Sequence, residues 1–309
     1  MTAAPSDSLH IGYATPVGLW EETRATKHRI LDELFTAGID HLYMADHVSF
    51  RDGHGTDGFV EIAGLSQLHD RLGVMISVYL LALRHPMTVA RQMATMTRLA
   101  PDRVSLGVGV GGDDRHEIEV CGIDPRTRGR RTDECLQILR GLADGEPLDF
   151  QGEFFDLDAA IIKPSISSVP ILIGGRSNAA LIRTGRYGDG WIGAWCSPRR
   201  YAEAVTIIDE SADAAGRSVD WRHGYQPWIG VGATKEQARQ TVGDAMERFY
   251  HVPFEKFERY TPYGTAAEVA DELRPYVEAG CRLFNLKVVA ENEAAAMESA
   301  GRIAEILRS

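Results

Sequence analysis

Eight short, mostly apolar runs alternating with amphipathic stretches, spread over 309 residues, constrain the fold of this chain more than any other feature. The runs at 9–14, 41–44, 74–83, 104–108, 170–173, 190–195, 226–231 and 282–289 have the look of buried parallel strands. Between them, apolar residues recur at helical spacing over 21–36, 59–72, 87–99, 128–142, 178–187, 198–215, 235–250, 266–279 and 293–307. Gly38 stops the first of these helices, and Pro86 opens the third where its missing N–H costs nothing. Strand-then-helix alternation calls for a parallel sheet. Eight units with no low-complexity linker point to one closed (β/α)8 barrel, a TIM barrel, spanning 1–309. Two segments break the rhythm: 147–164, with Phe150, Phe154 and Phe155 around Gly152, reads as a small hairpin excursion, and 251–264 as an irregular aromatic insertion.

Composition narrows the function. A formal net charge of -11 argues against a nucleic-acid footprint and against affinity for anionic membranes, although local basic sites remain open. No apolar span reaches membrane length and no signal-peptide core is visible at 1–8, so the expectation is a soluble, cytoplasmic protein. Cys121, Cys135, Cys196 and Cys281 form no C-x-x-C pair and the ten histidines form no H-E-x-x-H, so no metal site is expected.

In a barrel of this kind the active site lies where strands end and βα loops begin. That rule selects Asp46, His47, 77–80, 109–112, 174–177 and Trp195. The stretch RVSLGVGVGG at 103–112 ends in nearly bare backbone, which lets a ligand approach closely or lets strands pack tightly. Gly107, Gly109 and Gly112 also satisfy G-x-G-x-x-G. That dinucleotide fingerprint should open the first βαβ unit and run straight into a helix; here three units precede it and an acidic segment, 113–119, follows. Asp46 and His47 are neighbours, so in extended backbone one faces inward and the other supports it. An imidazole at a barrel rim is a candidate proton donor or acceptor, the alternative being a histidine satisfied by Asp or backbone. Gly174, Gly175, Arg176 and Ser177 sit where a strand gives way to a helix. Exposed N–H groups, a guanidinium and a hydroxyl there suit a phosphate, while Ser177 also fits an ordinary N-cap. No Walker lysine motif or G-x-S-x-G elbow is present.

Five segments in order, ADHVSF (45–50), SVYLLALRHPMTVARQMATMTRLAPDRVSLGVGVGG (77–112), CGIDPRTRGRRTDECLQILRGL (121–142), VPILIGGRSNAALIRTGRYGDGW (169–191) and YGTAAEVADELRPYVEAG (263–280), resemble the bacterial luciferase-like superfamily of flavin and deazaflavin oxidoreductases. The resemblance implies a barrel with an insertion region, usually dimeric, holding its cofactor at the C-terminal strand ends. The Asp-His pair is similar to the branch that uses coenzyme F420 in place of FMN. On that likeness His47 lies near the reactive face with Asp46 beside the cofactor. Ser77 and Val78 match a third-strand bulge, often built on a non-proline cis peptide, behind the ring. Gly111 and Gly112 match the fourth-strand cofactor edge, and Gly174, Gly175, Arg176 and Ser177 the phosphate loop. Some F420-dependent sugar-phosphate dehydrogenases carry a Glu where this chain has Gly112, so that chemistry is not implied. The resemblance thus implies a hydride-transferring oxidoreductase acting on a small-molecule substrate, with an FMN-dependent monooxygenase and a non-catalytic flavin-binding barrel as alternatives.

Overall fold

The computed structural model describes residues 8–51, 53–112 and 114–309. Of the N-terminal stretch 1–8, all but Ser8 lies outside the described residues, as do Asp52 and Asp113. In chain order the first half comprises β1 (His10–Ala14), α1 (Arg24–Thr36), β2 (His41–Met44), α2 (Gly58–Ser66), β3 (Gly73–Leu80), α3 (Pro86–Leu99), β4 (Val104–Gly109), α4 (Arg115–Val120) and α5 (Arg128–Gly141). There follow β5 (Leu148–Gln151), β6 (Asp156–Ala160), β7 (Ile171–Gly174), α6 (Asn178–Tyr187), β8 (Gly190–Gly193) and α7 (Pro198–Ala214). The last part holds β9 (Gly224–Tyr225), β10 (Trp228–Val231), α8 (Lys235–Tyr250), β11 (Tyr263–Gly264), α9 (Ala266–Glu278), β12 (Leu283–Val289) and α10 (Glu293–Arg308).

The order β1-β2-β3-β4-β7-β8-β9-β12 is parallel throughout and closes on itself, with Ile11 of β1 opposite Phe284 of β12. This is the (β/α)8 barrel. Alternation along each strand divides its side chains between two layers. Ala14, Tyr43, Met75, Leu172 and Ile192 pack together in one cluster inside the barrel. Ile11, Leu42, Val74, Ile76, Leu106 and Phe284 belong to the larger cluster that takes in the helices. Helices begin just beyond the rim because capping residues stand there: Asp57, Ser177, Ser197 and Thr234 each accept a first-turn N–H. β5 and β6 form a separate antiparallel pair.

The structure departs from the sequence reading at several places, among them the strand expected over 190–195, which ends at Gly193. The third strand, expected to reach 83, stops at Leu80, whose N–H is taken by the Asp46 carboxylate at 3.0 Å, and a 3-10 turn follows. The helix expected over 59–72 stops at Ser66, and His69 Nδ1 accepts the N–H groups of Arg71 and Leu72 in the turn beyond. The seventh barrel strand, expected over 226–231, lies just ahead of that range. Gly224–Tyr225 completes the barrel, whereas Trp228–Val231 continues past the rim to pair with the end of β12 and with β11. Pro227, which has no N–H to give a ladder, marks the break. Finally, the acidic segment after β4 contains α4, opened by Asp114, whose side chain accepts the His116 N–H at 2.9 Å.

One buried group gives a pH prediction. His223, just ahead of β9, is 2% exposed, accepts the Trp191 N–H at Nδ1, and burial pulls its pKa down from 6.5 to about 4. The folded state therefore binds fewer protons than the unfolded chain between those values, and stability present above the unfolded pKa is lost as pH falls through the folded one. The loss attributable to this group is about 3 kcal/mol by pH 4. His223→Asn retains an acceptor for Trp191 and removes the titration. The stability difference between the two proteins, measured by urea unfolding, should shift in the variant's favour from pH 7 to pH 4; a pH-independent difference contradicts the assignment.

Candidate active site

The C-terminal rim gathers Asp46, His47, the end of β3, the Gly111–Gly112 turn, the β7–α6 loop and Trp195, but not in the partnerships that adjacency in sequence suggested. Asp46 is 1% exposed and fully occupied. Arg84 grips it with two nitrogens, at 2.6 and 2.8 Å, and the N–H groups of Gly58 and Leu80 each donate at 3.0 Å. Its carboxylate therefore ties β2, β3 and α2 together. The expected support of His47 by Asp46 is corrected: Glu117 of α4 holds that ring, its carboxylate 3.1 Å from Nδ1. Glu117 also accepts the N–H groups of Val48 and Ser49 and is itself buried. A carboxylate can only accept, so Nδ1 carries a proton, and Nε2 has no hydrogen-bond partner among the described residues.

The loop that carries His47 is stitched down on both sides. Asp114 accepts the Arg51 N–H at 2.6 Å, and the Arg51 guanidinium donates to the carbonyls of Phe249 and Tyr250 at the end of α8. The Arg51 bond is the main cause holding the Asp114 carboxyl below its usual range. Rings continue across the mouth: His47 lies tilted against Phe50 with ring centroids 4.3 Å apart, Phe50 meets Phe249, and the Trp195 centroid lies 5.2 Å from those of both Tyr250 and Phe257. Trp195 sits at a positive φ of 47°, with Arg176 over its face. Its Nε1 is buried with no hydrogen-bond partner.

The Ser77–Val78 peptide is cis, and the pairing of β3 with β4 shifts register there. The bulge explains much of the glycine pattern. A Cβ on Gly109 would lie 2.5 Å from Val78 Cγ2, and one on Gly174 2.8 Å from its Cγ1. A Cβ on Gly107 would lie 2.6 Å from the Ile76 carbonyl. Gly107, Gly109 and Gly174 are thus needed to seat the bulge, whatever else approaches them. Gly111 and Gly112, at φ of 70° and 138°, form the left-handed turn beyond β4.

Gly175, Arg176 and Ser177 are exposed at the start of α6. The Ser177 hydroxyl is the N-cap, accepting from Ala180 N at 3.3 Å, and it keeps a proton to donate. Two cations escaped the sequence reading. Arg128, at the start of α5, lies beside Gly112 with a buried, unpartnered Nε and no carboxylate at ion-pair distance among the described residues. Lys287 follows Asn285 by two on β12, is half-buried, and lies over Trp228 at 5.9 Å, also without an ion-pair partner among the described residues. Burial pulls its ammonium pKa down. Beside Arg176, a cavity of about 310 Å³ is lined by Trp191, Trp195, Ser197, Arg199 and Arg200. A second groove of about 320 Å³, between α1 and α10, shares no residue with the rim. Val78, the Gly111–Gly112 backbone, Arg128 beside Gly112 and Arg176 over Trp195 give the rim an apolar side chain, a bare backbone edge and two cations, the lining a flat ring with a phosphate-bearing tail would need. Among the described residues no three metal-ligating side chains cluster, and no helix is long and apolar enough to cross a membrane.

The closed parallel barrel carries an oriented imidazole and a backbone-lined ledge on its C-terminal rim, the end at which barrel enzymes keep their active sites. The chain belongs to the luciferase-like monooxygenase family, whose model matches residues 28–276. It is 34% identical over 171 residues to an uncharacterized protein of Mycobacterium tuberculosis, covering 55% of this chain and 59% of that one, and so spans less than two thirds of that relative. It is 27% identical over 277 residues to the F420-dependent glucose-6-phosphate dehydrogenase of Kineococcus radiotolerans, covering 79% of this chain and 81% of that one. Among solved structures, an F420-dependent secondary alcohol dehydrogenase in complex with an F420-acetone adduct superposes with a TM-score of 0.83, at 19% identity, over 98% of this chain and 100% of that one. The monooxygenase RslO1 of Streptomyces bottropensis superposes with a TM-score of 0.78, at 19% identity, over 97% of this chain and 98% of that one. At such identities the structural likeness is one of fold.

Proposed function

We propose that this chain is an F420-dependent oxidoreductase that transfers hydride between the deazaflavin and a small organic substrate. The observation that carries this reading is the His47–Glu117 pair: an imidazole with a fixed tautomer and an open Nε2, on the same rim as the Ser77–Val78 bulge. When bound, the deazaflavin supplies the carbon that gives or takes hydride. In this reading Val78 would support the ring, the Gly111–Gly112 backbone would border it, and Phe50, Trp195 and Phe257 would keep water from the mouth. His47 Nε2 accepts or returns the proton at the substrate's reacting oxygen or nitrogen, and Glu117 stabilises the charge the ring gains. Asp46 is the anchor of this arrangement, not a reacting group. The family likeness brings a homodimer into the same reading, and the cytoplasmic location expected from the sequence is proposed with it.

Arg176, Ser177, the first N–H groups of α6 and Arg128 would hold the cofactor phosphate. A charge-assisted hydrogen bond is worth about 1.5 to 3 kcal/mol, so Arg176→Ala and Arg128→Ala should each weaken F420 binding about 10-fold to 150-fold. Unchanged affinity in both variants places the phosphate elsewhere.

A second reading, an FMN-dependent monooxygenase, is favoured by the description of the matching family and by the likeness to RslO1. Fluorescence titration with F420 and with FMN separates the two. Tighter binding of F420 supports the first reading, binding of FMN alone overturns it in favour of the second, and binding of neither removes both.

A further inference from the structure

A polar column runs through the inside of the barrel and ends on a hydrogen-bond donor that nothing above uses. At one end, His41 of β2 is 8% exposed and fits only because residue 12 of β1 is glycine: a Cβ there would lie 2.2 Å from His41 Nε2. Burial pulls the His41 pKa down, so the ring is neutral. Its Nε2 lies 2.8 Å from Asn285 Oδ1, which can only accept, so Nε2 donates. Asn285, 0% exposed, must then present its Nδ2 to the other side, where it donates to Ser77 Oγ and to Gln226 Oε1, each at 3.1 Å. Ser77 Oγ in turn donates to the same Gln226 oxygen at 2.6 Å.

Apart from a long side contact of Asn285 Nδ2 with Met75 Sδ at 3.7 Å, the bonds of the column point the same way and end on the Gln226 carbonyl. The carboxamide is locked with its oxygen inside the barrel, and its Nε2 has no partner among the described residues. Gln226 is half-buried, at the break between β9 and β10, with its backbone N–H fixed to the Gly193 carbonyl at 2.8 Å. The side chain that pins it, Ser77, is the first residue of the cis bulge. A buried network of this kind is costly to build unless its members are satisfied, and here one donor pair is held ready at the mouth.

We infer that Gln226 reads the bound ring, its Nε2–H donating to a carbonyl oxygen on the pyrimidinedione edge that flavins and deazaflavins share. The inference rests on the oxidoreductase reading above and adds a binding residue to it. Because both ring systems carry that edge, loss of the donor lowers affinity for F420 and FMN by the same factor.

The test uses Gln226→Glu and Gln226→Ala. Glu keeps an acceptor oxygen for Ser77 and Asn285 while removing the donor; Ala removes both and guards against an effect of the added charge. Affinities for F420 and FMN, the absorption maximum of the bound ring and the melting temperature are measured on the full chain. Expected is about a tenfold loss of affinity for each cofactor that the unaltered protein binds, with the bound ring's absorption moving toward that of the free cofactor, in both variants. Unchanged affinity overturns the inference. So does lost affinity with an unshifted spectrum, which would make Gln226 a residue of barrel shape alone. If the unaltered protein binds neither cofactor, the functional reading falls and takes the inference with it. Binding by the unaltered protein with no effect in either variant sinks the inference and leaves the reading standing.

Discussion

His47→Asn is expected to lower turnover by about 10²-fold to 10⁴-fold, the usual contribution of a positioned general acid or base, while F420 affinity stays within a few-fold. The ring is set up for this role by what it touches. Glu117 fixes the proton on Nδ1 from 3.1 Å, and His47 keeps 24% of its side-chain surface open against 4% for Glu117. Asparagine can retain a contact to Glu117 but cannot take up a proton near neutral pH. Glu117→Gln should cost less, about 10-fold, because an amide still reaches the ring and the Val48 N–H but no longer stabilises an imidazolium. Single-turnover hydride transfer and cofactor affinity are measured on the same preparations. Full turnover in His47→Asn removes the imidazole from the chemistry, and a variant that turns over normally but binds F420 poorly makes it a ligand of the cofactor only.

The difference between Asp46 and Glu117 as partner of His47 shows where sequence reading reaches its limit. Barrel strands are legible because burial on both faces leaves an apolar signature that needs no partner to interpret: all four residues of β2 are buried. The rim positions follow, since a strand's end fixes where its loop begins. What a rim side chain bonds to is set by barrel closure, which brings together residues far apart in sequence. Glu117 lies 70 residues from His47, in a segment that reads only as acidic, and Gln226 lies 149 residues from Ser77. Asp46, adjacent to His47, instead spends its carboxylate on Arg84, 38 residues on. Neighbours on a strand point to opposite sides, so adjacency was the poorer guide to partnership.

The glycines give the same lesson from packing. RVSLGVGVGG reads as backbone left bare for a ligand or for tight strand packing, and both uses are present: Gly107 and Gly109 stand where the third-strand bulge crowds in, and within the stretch only Gly111 and Gly112 take the positive φ that a side chain resists. Composition alone could not separate these uses, because the bulge belongs to a different strand. Val78 is the residue whose position decides it.

Arg84→Met should destabilise the folded chain by about 3 to 5 kcal/mol, the cost of stranding a buried carboxylate without its cation. Asp46 has 0% side-chain exposure against 15% for Arg84, so the carboxylate cannot turn to water when the guanidinium is gone. Two backbone donors, Gly58 and Leu80, would remain to it. Methionine keeps most of the apolar stem and its place near the Tyr79 ring, which the guanidinium carbon now approaches to 4.4 Å, so packing loss is small and the measured cost reports the charge. The decisive comparison is the double variant. Asp46→Asn combined with Arg84→Met leaves no buried charge and retains an acceptor for one of the two backbone donors, so it should be more stable than Arg84→Met alone. Urea unfolding of the single and double variants tests this directly. If the double variant is less stable than Arg84→Met, the carboxylate is satisfied by backbone alone and the pair is not what holds β2, β3 and α2 at the rim. If the pair does hold them, the same single variant should also loosen the loop that carries His47, and F420 affinity should fall along with stability.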